Sequence, residues 1–124
     1  MRPIRLSGLL AAALALPGAA ALAQPQPQEV KITLTDYKIA SSVTTFEKGK
    51  PYRFVVTNTG KKDHEWLIAP RGKDEPLIEV EEDELEPGKT ATREFTFAQA
   101  GNFEFSCHYR NHYSKGMKLA ITVK

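Results

Sequence analysis

The chain is short of sulfur and of imidazole: its 124 residues include one cysteine, two methionines and three histidines. A single thiol cannot close an internal disulfide, so the fold must rest on a packed core and not on covalent staples. Long apolar runs are missing too. The stretch Leu9 to Leu16 falls short of the roughly 20 residues that a permanent membrane helix needs, so no stable membrane insertion is expected. Excess charge is absent as well. The 17 Lys and Arg exceed the 15 Asp and Glu by only two, which points to no polyanionic partner such as a nucleic acid. There is no internal repeat and no convincing amphipathic helix.

What is present begins with a leader. Arg2 and Arg5 precede the Leu/Ala run, Pro17-Gly18 breaks it, and Ala21-Leu22-Ala23 has the small-x-small form that signal peptidase accepts. Residues 1–23 are therefore expected to be a cleaved secretory signal, with export to the periplasm. No cysteine lies near the cleavage point, so a lipid anchor is not expected. The two leader arginines account for the whole charge excess. Gln24 to Gln28 is polar and proline-spaced, a flexible N-terminal leader. Residues 29–124 are long enough for one small domain with a core of its own, and a monomer is expected. In an exported chain a lone thiol suggests intermolecular pairing, a reactive group or a metal ligand. Cleavage also removes Met1, so all remaining sulfur lies between Cys107 and Met117.

From Glu29 onward the period is two. Val30, Ile32 and Leu34 alternate with Lys31, Thr33 and Thr35, the pattern of a half-buried strand. A short strand is expected around Ser42 to Phe46, a turn at Glu47 to Pro51, and a β-branched and aromatic strand from Tyr52 to Asn58. His64 begins the next strand, which stops at Pro70. Between Pro70 and Lys89 the pattern breaks, with room for a strand at Pro76 to Val80 and one helical turn at Glu81 to Leu85. Thr90 to Phe97 resumes as a strand. Phe103 to Ser106 and Met117 to Val123 flank a loop. Seven or eight short strands with turns between them predict an all-β antiparallel sandwich.

The loop carries Cys107, His112 and Met117 in a Cys-x4-His-x4-Met spacing, and His64 stands far upstream. Together they offer one thiolate, two imidazoles and one thioether. A Cys and two His in a trigonal set with a weak axial Met is the arrangement of electron-transfer copper sites. Soft sulfur suits Cu(I), and imidazole accepts both Cu(I) and Cu(II). Zinc is the chemical rival, but structural zinc usually takes two or more cysteines and methionine serves it poorly. Each residue also has an ordinary alternative. Cys107 is the size of a small core residue, His64 a plausible strand-end histidine, and Met117 a fitting first residue for the core face of the last strand. His108, next to Cys107 on an extended backbone, points the other way and is expected outside the ligand set.

His64-Glu-Trp-Leu-Ile, Glu86-Pro-Gly-Lys, and Gly101-Asn-Phe-Glu-Phe-Ser-Cys through His112-Tyr-Ser-Lys-Gly-Met117 resemble the cupredoxins, the small blue copper proteins, and within them the plastocyanin/azurin-like periplasmic domains. The resemblance spans essentially the whole chain after the leader. It implies a Greek-key sandwich holding one type 1 copper ion, with His64, Cys107 and His112 equatorial and Met117 axial. The chain departs from the family where Arg110-Asn111 replaces a common Pro-Gly. It departs again where Glu65 follows the first histidine in place of a bracing Asn or Asp.

The resulting expectation is a one-electron carrier cycling Cu(I) and Cu(II) between redox partner proteins. The alternative is periplasmic copper binding for tolerance or delivery among copper-handling proteins. An enzyme is not expected, because one complete ligand set leaves no further redox centre. The acidic run from Glu79 to Glu86 is either a docking patch for a basic partner or a solvated loop. The exported protein is predicted to begin at Gln24. N-terminal sequencing and intact mass of the secreted form check this, and a product that retains Arg2 and Arg5 contradicts it.

Overall fold

The computed structural model of the protein describes residues 26–124, together with residues 3, 4, 8, 11–15 and 18. Much of the expected signal, including its whole cleavage site at Ala21 to Ala23, lies outside the described residues. Among the described residues nine strands form: β1 Gln28–Thr35, β2 Lys38–Ser41, β3 Thr45–Phe46, β4 Pro51–Asn58, β5 Trp66–Pro70, β6 Ile78–Val80, β7 Thr90–Thr96, β8 Gly101–Ser106 and β9 Lys118–Val123. Two single 3₁₀ turns, Glu82–Glu84 and Tyr113–Lys115, interrupt them. Among the described residues no helix is long and apolar enough to cross a membrane.

The strands make two sheets, ordered β2-β1-β4-β7 and β3-β9-β8-β5-β6. The expected sandwich is there, but it has nine strands where seven or eight were predicted, and its sheets are mixed. β1 runs parallel to β4, from Gln28 beside Tyr52 to Leu34 beside Asn58. β3 runs parallel to β9, and the remaining pairings are antiparallel. Period-two patterning identifies which residues form strands but carries nothing about the neighbour each strand will choose. The extra strand arises because the stretch 37–46 splits, β2 joining the first sheet and β3 crossing to the second. The expected strand near residue 80 and the helical turn after it both form, shortened to β6 and the first 3₁₀ turn.

Alternation places the core. Val30, Ile32 and Leu34 of β1 and Tyr52, Phe54 and Val56 of β4 face inward and are buried. Phe46, Trp66, Phe97 and Phe105 meet them from the other side. Phe54 lies 5.2 Å from Trp66 and 5.7 Å from Phe105, and Phe46 packs edge-on to Tyr52 at 4.9 Å. Such edge-to-face and tilted contacts suit the ring quadrupoles. β5 breaks the alternation, since Trp66, Leu67, Ile68 and Ala69 are all buried. It lies between β8 and β6, and Tyr113 reaches the outer face of this sheet, where its hydroxyl donates to Glu104 Oε1 at 2.9 Å.

Phe54 touches rings from both sheets, so its truncation opens a cavity between them. Phe54→Ala is expected to destabilise the fold by about 3–5 kcal/mol. Denaturant unfolding checks this, and a loss below about 1 kcal/mol means the two sheets can close over the gap.

Candidate metal centre

The centre forms at the end of the sandwich where β4 leaves the first sheet and β5 enters the second. The turn between them is clamped by Asn58, which is fully buried. Its side-chain amide donates to Lys62 C=O at 2.8 Å and Leu85 C=O at 2.7 Å, and its Oδ1 accepts from Gly60 N–H at 2.9 Å. His64 follows this turn, two residues before β5 rather than at its start. Its own N–H donates to Leu85 C=O at 3.3 Å. Gly60 leaves room for a carboxylate, because a Cβ there would collide with Asp36 Oδ1.

Asp36, in the β1–β2 turn, takes that space. Its carboxylate accepts the N–H groups of Lys61 and Lys62 and stands 2.9 Å from His64 Nε2. Burial works against its charge, but Lys61 N–H, His64 and Lys62 N–H together hold its carboxyl below the ordinary range. An ionised carboxylate only accepts, so a proton sits on His64 Nε2, and Nδ1 is the nitrogen that faces the centre.

The loop from Cys107 to Met117 supplies the other donors. Cys107 N–H donates to Met117 C=O at 3.1 Å, and Met117 N–H donates to His112 C=O at 3.2 Å. The 3₁₀ turn ends on Gly116 at φ 94°, a conformation that costs little only without a Cβ. Tyr113 ties the loop to the sheet from outside, stacked on His108 with ring centroids 4.3 Å apart. His108 Nε2 lies 3.1 Å from Ser106 Oγ, so this histidine faces the outer sheet surface, away from the other two.

His64, Cys107 and His112 are all buried, and their donor atoms lie within 4.8 Å of one another. His64 Nδ1 is 3.1 Å from His112 Nδ1, and Cys107 Sγ is 3.6 Å from His112 Nδ1. Nitrogen donors about 2.0 Å and sulfur about 2.3 Å from one ion stand roughly 3.3–3.7 Å apart at near-tetrahedral angles. Two of the three spacings are thus already close to what one ion requires, and the third is within 4.8 Å. Met117 is fully buried and its backbone is hydrogen-bonded to both Cys107 and His112. A donor set of thiolate, two imidazoles and an adjacent thioether fits one copper ion.

Glu65 takes up the bracing position. Its Oε1 accepts from His108 N–H at 2.6 Å, and its own N–H points to Cys107 Sγ at 3.4 Å. Burial raises its carboxyl above the usual range in spite of the His108 N–H. Burial also pushes the Cys107 thiol up to about 11, and lowers His112, helped by the fields of His64 and Lys115. Tyr37, at φ 73°, packs edge-on to the His112 ring with centroids 5.0 Å apart. Asp36, Tyr37 and Asn58 had no motif to mark them. The only hint was an Asp in a short polar turn, which is an ordinary place for Asp.

The family model of the cupredoxin-like domain matches residues 6–121. The chain belongs to the cupredoxin-like family. Among proteins of known role, it is 27% identical over 121 residues to the copper-resistant cuproprotein CopI of Rubrivivax gelatinosus, covering 87% of this chain and 72% of that one. Among solved structures it is similar to the dithionite-reduced auracyanin of the photosynthetic bacterium Roseiflexus castenholzii. The TM-score is 0.64 at 21% identity, over 82% of this chain and 99% of that one. Auracyanin B is similar at a TM-score of 0.61 and 16% identity, over 85% and 95% of the two chains. At such identities the structures share the cupredoxin fold.

A thiol held near 11 must lose its proton to bind a metal. Copper uptake at pH 8 is therefore expected to release close to one proton in the wild type and none from that source in Cys107→Ser. Calorimetry in buffers of different ionisation enthalpy measures it, and a release near zero means the thiol was already ionised. The sign for stability follows from the same shift. The unfolded thiol ionises near 9.0 and the folded one near 11, so the metal-free fold loses stability as pH rises through that window.

Proposed function

We propose that the protein is an exported type 1 copper protein that works as a one-electron carrier between redox partners, with His64, Cys107 and His112 as strong ligands and Met117 as the weak fourth. A bound copper ion supplies the one-electron couple. The observation that carries the reading is the close approach of the buried donors, with His64 Nδ1 only 3.1 Å from His112 Nδ1. A site that needs little rearrangement between oxidation states favours electron transfer over metal exchange. The chain's residues do the holding. Asp36 orients His64, Glu65 ties the loop at His108 to the strand that follows His64, and Asn58 fixes the turn that delivers His64. Tyr37 and Tyr109 pack against the His112 ring at 5.0 and 5.5 Å and keep water from it. The periplasm, reached through a signal cleaved after Ala23, is the compartment that fits this role, and no enzymatic step is assigned.

A second reading has one specific observation in its favour. The relative that spans most of this chain is a copper-resistant cuproprotein, and the same donor set would serve copper tolerance or delivery. The acidic segment 79–86 lends little to either reading. Glu84 pairs with Arg93 at 2.6 Å and Glu86 with Lys89 at 3.1 Å, which favours a solvated, locally paired loop.

With Cu(II) the protein is expected to show an intense visible thiolate-to-copper band that Cys107→Ser abolishes; a colourless Cu(II) form rules out the type 1 assignment. Electron self-exchange at high salt, where surface charge is screened, is then compared with copper loss to a chelator. Rapid exchange with retained copper supports the carrier, and slow exchange with rapid copper loss supports handling.

A further inference from the structure

Beside His112 the surface opens into a cleft of about 420 Å³. Lys61 and Lys62 enter it from the turn before His64, and Arg110 and Lys115 from the Cys107–Met117 loop. Asp63 is the one acid in the lining. Elsewhere on the described surface Arg53, Lys89 and Arg93 are answered by Glu94, Glu86 and Glu84. None of the four cations at the cleft makes a salt bridge among the described residues. Other lysines are unpaired as well, but at the cleft four cations face a single acid, so positive charge is concentrated at the mouth of the metal centre.

Two of the cations are held in place. Lys115 Nζ lies 3.2 Å from Tyr37 Oη and 4.3 Å from the ring centre, and the Arg110 guanidinium lies 5.3 Å from the Tyr109 ring. Arg110 also adopts φ 52°, a left-handed conformation better suited to its neighbour Asn111. The backbone N–H groups of Lys61 and Lys62 do not serve the cleft, because both are taken by Asp36. Neither N–H therefore adds to a small-anion site in the cleft. What remains is a rim of side-chain charge suited to a larger, carboxylate-covered surface.

We propose that this cationic cleft is the docking surface for an acidic protein partner, whose Asp and Glu side chains enter between Lys61–Lys62 and Arg110–Lys115 and settle over the His112 ring. The proposal rests on reading His112 as a copper ligand, because docking there brings the partner to the shortest way in to the metal. Charge complementarity of this kind speeds encounter and fixes orientation. It also keeps two copies of this chain apart, since each presents the same sign.

The test uses the isotope-labelled, copper-loaded protein in its diamagnetic reduced state, titrated at low salt with hexaglutamate. Amide signals of Lys61, Lys62, Arg110 and Lys115 are expected to shift saturably, and the shifts to vanish by about 0.3 M salt. Lys61→Gln combined with Arg110→Gln should weaken the peptide about tenfold while keeping the visible copper band. Glu81→Gln with Glu82→Gln should leave peptide affinity unchanged. Shifts scattered without saturation, or unaffected by the paired cleft substitutions, overturn the proposal. Inorganic phosphate moving the same amides as strongly as the peptide also overturns it, in favour of a small-anion pocket. So does stronger capture by phosphatidylglycerol vesicles than by hexaglutamate, in favour of a membrane surface. Absence of the copper band in the wild type overturns the copper reading instead, and peptide titration of the metal-free chain then still reports on the cleft.

Discussion

The metal centre depends on one buried amide. Asn58 ends β4 in the first sheet, yet its side chain holds the carbonyls of Lys62, on the way into the second sheet, and Leu85, on the way back from it. Both of its amide hydrogens have a partner, and its oxygen takes Gly60 N–H. A buried amide of this kind has few alternative arrangements, because any other conformation strands polar groups away from water. The turn it holds delivers His64 to the end of the sandwich and brings the Lys61 and Lys62 N–H groups onto Asp36. The orientation of His64, the charge on Asp36 and the position of the cleft lysines therefore share one anchor.

The loop from Cys107 to Met117 is held differently. It has no proline before His112, and its rigidity comes from contacts on both sides. Inside, backbone hydrogen bonds link Cys107 to Met117 and Met117 to His112. Outside, Tyr113 binds Glu104 and stacks on His108, while Glu65 grips His108 N–H. His108 is thus outside the donor set and still important to it, as the point where the loop is pinned to the sheet. Beside His112 four cations face a single acid and, among the described residues, none of them is in a salt bridge, whereas Arg53, Lys89 and Arg93 have carboxylate partners.

Much of this was legible in the chain. The alternation in Val30–Leu34 and Tyr52–Val56 gave away two core strands, since each faces solvent on one side. The spacing of Cys107, His112 and Met117 marked the loop, because three donors that close on a short connection must converge. His64 was found by the need for a second imidazole. Strand partners were less accessible. The parallel pairing of β1 with β4 depends on where β2 and β3 go, and nothing local in Tyr37–Phe46 records that one joins each sheet. Asp36 and Asn58 were hidden for a related reason. Each works through a partner distant in the chain, His64 or Leu85, and each is of a residue type that turns and strand ends use routinely.

The strand order also has a consequence for timing. β9, the last strand, lies between β3 and β8 in the second sheet, and β1, the first, lies between β2 and β4 in the other. Neither sheet can close while an end of the chain is missing, and such long-range pairings form late. Met117 and the loop before it are synthesised just ahead of β9. A partly made chain therefore has His64 on one segment and Cys107 with His112 on another, and no pocket to gather them. The centre can form only once β9 has paired, so the donors meet a metal as a set only after this last strand is in place.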